Sequence, residues 1–426
     1  MRQRSRPWIL VAIVALVLAL LASAACRGKE QSASQPTAAA TGTGGTEPLR
    51  ASDVGVTETE IVLGAHIAMT GPAAQYRLYG EGGKAYFDYV NQELGGVNGR
   101  KIVYKLVDDG YEANKAVAAV KQLVDSDKVF AVFQGLGTSS HAAVVDFLNE
   151  RQVPDMFVRS GASKFNDPAR YPWTFQYTFS YVTDGEVMAE YVAKNYPGKK
   201  IGILYQNDDF GKDYLNAFTA KLGSAGTVVS KQSFEVAAPD VSSQLQQIRN
   251  AGAEVVMLFA TPKFAALALK WMAQGGWNPV RFMSVVAADQ TTIKNAGAAA
   301  AEGTFTTGYY GDLEADTTNP HVQLHKRIMA KYAPGIEPSD FTLTGHAAAE
   351  LMVEVLKRAG RNPTRQSLIK AAESIRDFKD TAALGPATMT SKDHAPLHCE
   401  RFKQVKGGKF VYISDLVCAP VKGLQQ

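Results

Sequence analysis

Thr138, Ser139 and Ser140 follow Gly135-Leu136-Gly137, between a short apolar run and an amphipathic stretch. Hydroxyls and free backbone N–H groups at such a strand-to-helix junction can hold an anion, and a helix dipole adds to the attraction. The same three residues also suit a plain N-cap, with Ser139 and Ser140 the better candidates for that role. Other chemistry finds less support. The chain has no GxSxG elbow, GxxxxGK[ST] loop, HExxH or CxxC. Gly83-Lys84 looks like the tail of a phosphate loop, but Leu78 stands where its first glycine belongs and Ala85 follows the lysine. His321 and His325 share a helix face without a third ligand, so a solvated face is expected; His66 and His346 are expected to be packed near the lobes. His394, His398 and Cys399 offer one thiolate and two imidazoles, a poor zinc set. These patterns point away from an enzyme, a metal site or a cofactor.

The elements that must carry these residues alternate. Strands are expected at 61–69, 101–107, 129–133 and 154–158, and helices at 79–93, 114–126 and 140–150. The pattern restarts near 180. Helices are expected at 184–196, 214–225, 241–251 and 264–274, and strands at 200–205, 228–234, 255–259 and 281–285. Such alternation implies parallel sheets covered on both faces. The fold class is α/β, with two doubly wound, Rossmann-like lobes. Further helices are expected at 319–332, 346–360 and 364–374. Ligands of doubly wound sheets bind at the carboxyl ends of the strands, so two facing lobes would form a cleft.

Arg2, Arg4 and Arg6 precede the uncharged apolar run Trp8–Leu21, and Ala22-Ser23-Ala24-Ala25-Cys26 follows. This order is that of a secretory signal over residues 1–25; a retained short anchor is the alternative. Cys26 stands where a bacterial lipobox places its acylated thiol. Ser23 replaces the usual aliphatic residue, which leaves ordinary cleavage after Ala24 open. Residues 26–55 are poor in large apolar side chains and are expected to be a flexible spacer. Removing residues 1–25 takes three arginines from 45 basic residues, leaving 42 against 41 acidic ones and a net charge near +1. There is no basic excess for nucleic acid. Cys399 and Cys418 flank two strand-like runs, 401–405 and 410–416, around the hairpin signal Gly407-Gly408. A disulfide closing that hairpin is expected, in keeping with an oxidising compartment.

Several segments, in order, carry a resemblance. They are Gly71-Pro72-Ala73-Ala74-Gln75-Tyr76, Leu106-Val107-Asp108-Asp109, the 135–140 loop, Ser160-Gly161-Ala162-Ser163, Asp208-Asp209-Phe210-Gly211 and Ala301-Glu302-Gly303. Over about 56–420 the chain resembles the periplasmic branched-chain amino acid binding proteins, the leucine/isoleucine/valine receptors of ABC importers. The resemblance implies a type I periplasmic binding fold, two lobes joined by three crossovers. Lobe 1 would take 56–180 and 309–383, and lobe 2 would take 181–308 and 384–420.

It also implies a site. Thr138 falls at the hydroxyl that meets the ligand's carboxylate, with Leu136 and Gly137 lining the same spot. Gly161 and Ser163 fall at a second contact, through a carbonyl and a hydroxyl. Tyr76, Phe210 and Phe341 align with aromatic cleft walls, and Thr261 is a further candidate. One position departs from the family: Val286 stands where amino-acid receptors carry the glutamate that holds the ligand's ammonium. An aliphatic side chain cannot offset a buried ammonium. The expected ligand is therefore a small carboxylate with an apolar or aromatic body, unless Asp208 or Asp289 turns in to restore an amino-acid site. The implied partners are this solute, a membrane permease of an ABC importer, and the membrane surface through a lipid anchor. The implied location is the periplasm or the outer face of the cytoplasmic membrane. Presentation of the ligand to a separate sensor is the alternative.

Overall fold

The computed structural model describes residues 47–424. The expected signal, the lipidation residue Cys26 and most of the expected spacer lie outside the described residues. Short apolar runs make the strands. β1 Glu60–Ile67, β2 Lys101–Asp108, β3 Ala131–Phe133, β4 Asp155–Val158 and β5 Thr174–Gln176 form one sheet, ordered β2-β1-β3-β4-β5. All its pairings are parallel. A second sheet takes β6 Lys200–Gln206, β7 Thr227–Phe234, β8 Val255–Phe259, β9 Val280–Met283, β10 Phe305–Gly308, β11 Cys399–Lys406, β12 Lys409–Tyr412 and β13 Val417–Cys418. Its order is β12-β11-β10-β9-β8-β6-β7, with β13 also on β11.

Composition follows position in the sheet. Central β8, Val-Val-Met-Leu-Phe, is wholly buried. A parallel strand covered on both faces needs apolar side chains in both directions. Edge strands β2 and β7 have one free side, carry lysines, and are mostly half-buried or exposed. Between the sheets the chain crosses three times. It leaves β5 for the helix Tyr181–Asn195, returns after β10 to the helices Pro320–Tyr332, Asp340–Arg358 and Arg365–Glu373, and goes back at β11. The returning helices share one core with the first sheet, in which Leu351 and Leu368 join Leu63, Phe133 and Met156.

Two glycines bring one helix pair close together. A Cβ on Gly82 would lie 2.0 Å from the Thr342 carbonyl oxygen, and one on Gly345 would lie 2.0 Å from that of Tyr79. Without side chains there, the helices Arg77–Glu93 and Asp340–Arg358 touch backbone to backbone. That contact sets Tyr79 against Phe341, with ring centroids 4.7 Å apart. Gly83 and Lys84 belong to the same helix: Gly83 is buried, and Lys84 pairs with Asp88 at 2.7 Å.

Several expectations need correction. The helix expected at 140–150 is two, Thr138–Ala142 and Val145–Glu150, because Val144 leaves helical geometry with φ −124° and ψ −16°. The helix expected from 346 starts at Asp340, capped by a Ser339–Thr342 box. The spacer expected to run to residue 55 is docked from 47 onward. Arg361 and Asn362 donate to the Glu47 and Pro48 carbonyls, and the Arg365 N–H donates to Asp53. His325 is buried rather than solvated, because the neighbouring helix covers its face: its Nε2 lies 2.8 Å from Thr342 Oγ1 and its Nδ1 3.0 Å from His346 Nδ1. The run expected at 410–416 ends at Tyr412. The chain then doubles back so that β12 and β13 both pair with β11, and Cys399 is disulfide-bonded to its cross-strand neighbour Cys418.

Candidate functional site

Both sheets reverse their strand order, the first at β1/β3 and the second at β6/β8. Ligand crevices form outside the carboxyl ends of strands at such points. Every residue of one closed cavity comes from these ends. Tyr76 and Tyr79 follow β1, and Tyr111 follows β2. Leu136, Gly137 and Thr138 follow β3, Arg159 follows β4, and Thr178 and Tyr181 follow β5. From the second sheet come Phe210 after β6, Thr261 after β8 and Val286 after β9. The remaining space is tight, ≈ 20 Å³, about the room one water needs. A larger open groove of ≈ 740 Å³ lies between Gly71–Gln75 and the helix Pro262–Gln274. It faces solvent, whereas the closed cavity gathers buried polar groups, so the closed cavity is the candidate site.

Gly137 is required at its position. It has φ +102°, and a Cβ there would meet Ser140 Oγ at 2.2 Å. Ser140 Oγ donates to the Leu136 carbonyl, which holds the loop. Thr138 Oγ1 lies 2.7 Å from Ser160 Oγ, both buried. Burial pushes the hydroxyls of Tyr76, Tyr79 and Tyr111 well above the ordinary tyrosine range, so they stay protonated. Tyr76 donates across the cleft to the Val286 carbonyl at 3.3 Å.

Of the residues expected at the site, the cavity gathers Tyr76, Leu136, Gly137, Thr138, Phe210, Thr261 and Val286. Three others lie outside it. Ser163 is exposed, and its N–H donates to Asp213 Oδ2 at 2.8 Å, so its polar groups bridge to the helix Asp209–Leu222. Gly161 presses on the crossover after β5. A Cβ there would lie 2.0 Å from the Phe179 carbonyl oxygen, and its own carbonyl already accepts from the Tyr181 N–H. Phe341 is fully buried behind the rings of Tyr76 and Tyr79. The two acids considered for an ammonium are engaged elsewhere. Asp208 accepts from Gln206 at 2.7 Å and caps the helix Asp209–Leu222. Asp289 caps the helix Gln290–Ala296 and accepts from the Phe341 N–H at 2.9 Å.

Sequence reasoning missed Tyr79, Tyr111, Arg159, Thr178 and Tyr181. Arg159 matters most. It is 5% exposed. Its Nε donates to Gln134 Oε1 at 3.0 Å, while both terminal nitrogens are buried without a hydrogen-bond partner. The Tyr309 hydroxyl lies close enough for the guanidinium to act on it, although neither terminal nitrogen makes a hydrogen bond that meets strict geometry. A basic residue at the end of a buried strand is the signal that would have found it.

Residues 60–409 match a family described as periplasmic binding protein. A Leu/Ile/Val-binding protein homologue of Brucella melitensis is 28% identical over 326 residues, 73% of this chain and 83% of its own. An amino acid binding protein of Pseudomonas aeruginosa is 25% identical over 331 residues, 76% of this chain and 85% of its own. Among solved structures, a branched-chain amino acid ABC transporter protein from Thermus thermophilus with bound valine gives a TM-score of 0.77 at 22% identity, covering 85% of this chain and 97% of that one. A fatty acid ABC transporter substrate-binding protein from Thermomonospora curvata gives 0.75 at 20% identity, covering 86% and 94%. Both share the two-lobed α/β fold.

Proposed function

We propose that this chain, which belongs to the periplasmic binding protein family, captures a small carboxylate with an apolar or aromatic body between its lobes. One observation carries the ligand class. Among the described residues, the twelve that line the cavity include no Asp or Glu. A zwitterionic amino acid would have to bury its ammonium there unpaired, a cost that outweighs an ordinary hydrogen bond. The hydroxyls of Thr138 and Tyr181 suit a carboxylate, and Leu136, Phe210, Val286 and the tyrosine rings suit an apolar body. Fold does not choose the solute, since one neighbour is described with bound valine and another as the substrate-binding protein of a fatty acid ABC transporter. A solute enters when the lobes part and the rings resettle around it.

The second reading is a branched-chain amino acid receptor, favoured by the Leu/Ile/Val names of the sequence relatives. Calorimetry of leucine and valine against benzoate, butyrate and hexanoate separates the two. Acids binding at least tenfold more tightly support the first, and tight leucine binding sinks it.

The proposal extends to delivery and location. The captured solute passes to the membrane permease of an ABC importer, and an acylated Cys26 holds the chain at the outer face of the cytoplasmic membrane. Cys26→Ser should release the protein into the soluble exported fraction; unchanged membrane association would refute the anchor. Loss of acid uptake in a deletion strain supports delivery, whereas normal uptake with lost signalling supports presentation to a sensor.

A further inference from the structure

We infer that Arg159 is the anchor for the solute's carboxylate, binding it through both terminal nitrogens, and that it makes the site select an acid over its own amide. This inference rests on the acid-binding reading and names the residue that enforces it.

The backbone is shaped to present this side chain. β4 sets Asp155 against Thr174 and Val158 against Gln176, so one extra residue is inserted between the two pairings. Phe157, fully buried inside that bulge, has φ +63°. A bulky residue in the left-handed region is strained, and bulges beside binding sites redirect the next side chains. The residue so placed two positions on is Arg159. Its partner Gln134 is likewise buried at φ +61° and donates from its amide to the Gly345 carbonyl at 3.1 Å. Two left-handed residues on neighbouring strands thus converge on one guanidinium.

The guanidinium is clamped in place. Its carbon lies 4.2 Å from the Tyr79 ring centroid and 5.0 Å from that of Tyr177. The Nε–Gln134 bond fixes the plane. What remains is a fork of two terminal nitrogens, buried, at the cavity wall, with no well-formed hydrogen bond among the described residues and only the Tyr309 hydroxyl nearby. Buried donors of this kind are nearly always satisfied, so a partner of matching shape is called for. A guanidinium fork matches a planar carboxylate in two parallel hydrogen bonds. An amide can mirror only half of that pattern, because its NH₂ opposes a donor. Tyr79, which clamps the arginine, also lines the cavity, so the solute's body would rest against the same ring system.

The experiment is calorimetry with benzoate and benzamide on the wild type, Arg159→Gln and Arg159→Lys. The wild type should bind benzoate on the order of 100-fold more tightly than benzamide. R159Q should lose about that factor for benzoate and change little for benzamide. R159K should fall in between, since it keeps the charge without the fork. Benzoate affinity in R159Q within threefold of wild type overturns the anchor while leaving the acid reading intact. Leucine outcompeting every acid on the wild type breaks the acid reading itself, and failure of benzoate, butyrate and hexanoate alike to bind defeats both. Should R159Q fail to fold, as judged by its melting curve, the acid-to-amide ratio of the wild type and of R159K still decides: a ratio near one in the wild type refutes the inference.

Discussion

The two walls of the cleft are made from the same kind of element, loops at the carboxyl ends of parallel strands, yet they differ in chemistry. The first-sheet wall holds the buried guanidinium of Arg159, the Thr138 hydroxyl backed by Ser160, and the tyrosines Tyr76, Tyr79 and Tyr111. The second-sheet wall presents Phe210, Thr261 and Val286, and it turns both of its nearby carboxylates, Asp208 and Asp289, into helix caps. On the proposed reading, the first wall suits the charged head of the acid. The second suits its apolar body. Polarity is therefore concentrated on one side, and on the acid-binding proposal the sign of the preferred ligand turns on whether the second wall carries a carboxylate.

Adding one there is the strongest way to break that contrast. Val286→Glu should cut benzoate affinity on the order of 100-fold, because the new carboxylate competes for the arginine fork and repels an acid. The same change should raise leucine affinity at least tenfold by supplying a partner for its ammonium. Calorimetry with both probes reads the exchange. Unchanged benzoate binding in V286E would mean that the second wall has no say in ligand charge.

A smaller effect separates the helices behind the two walls. Gly82 and Gly185 both lie inside helices, so replacing either with alanine gains a similar intrinsic propensity, about 1 kcal/mol. Their surroundings differ. A Cβ at Gly82 meets the Thr342 backbone at 2.0 Å, while one at Gly185 finds Ala217 Cβ and the Tyr214 carbonyl at 3.3 Å. Gly82→Ala should destabilise by about 1–3 kcal/mol, because backbone cannot step aside. Gly185→Ala should fall within about 1 kcal/mol of wild type. Urea denaturation of both variants checks the difference, and equal midpoints would show that the helix contact behind the first wall is no tighter than its counterpart.

That contact also marks what could be read beforehand. Central strands such as β8 are apolar runs, and the 135–140 loop carries its glycines and hydroxyls side by side, so local composition exposes both. β5 and β10 are only three and four residues long and rich in polar side chains, Thr-Phe-Gln and Phe-Thr-Thr-Gly. They are strands because neighbours pair with them. The Ser339 cap uses threonine where the familiar box has Glu or Gln, which hid six residues of helix. Arg159 reads locally as the polar end of a strand. A basic residue ending a buried strand is a visible mark, but its proposed role depends on a bulge at Phe157, a ring from Tyr177 and an amide from Gln134, which the residues around 159 do not spell out. Motif position puts Ser163 and Gly161 at the ligand; in the structure Ser163 reaches the helix Asp209–Leu222 and Gly161 packs on the crossover after β5, contacts that motif position does not encode.

The smallest expected effect contrasts a buried acid in each half. Asp184, beneath the second wall, has its carboxyl pushed up to about 6 by burial, despite hydrogen bonds from Tyr214, Thr307 and the Val285 N–H. Glu400 lies beside it, itself buried and pushed up by burial and by the Asp184 charge. Glu350, among the helices of the first half, goes the other way. Burial raises it, but the charge of His346 and bonds from His321 and His346 more than offset that and bring it to about 2. The signs are opposite. A folded-state pKa above the unfolded one means that the native protein gains protons first, so Asp184 should make stability rise as pH falls from 7 toward 4. A depressed pKa means stability present above the unfolded value and lost below it, so Glu350 should make stability fall as pH drops from about 4.5 toward 2. Thermal melts across this range should show a maximum near pH 4, where the two effects cross, with limbs of order 1 kcal/mol. Asp184→Asn should flatten the neutral limb and leave the acid limb, and Glu350→Gln should do the reverse while lowering stability throughout. A neutral limb unchanged in D184N would place its origin in some group other than the second half's buried pair.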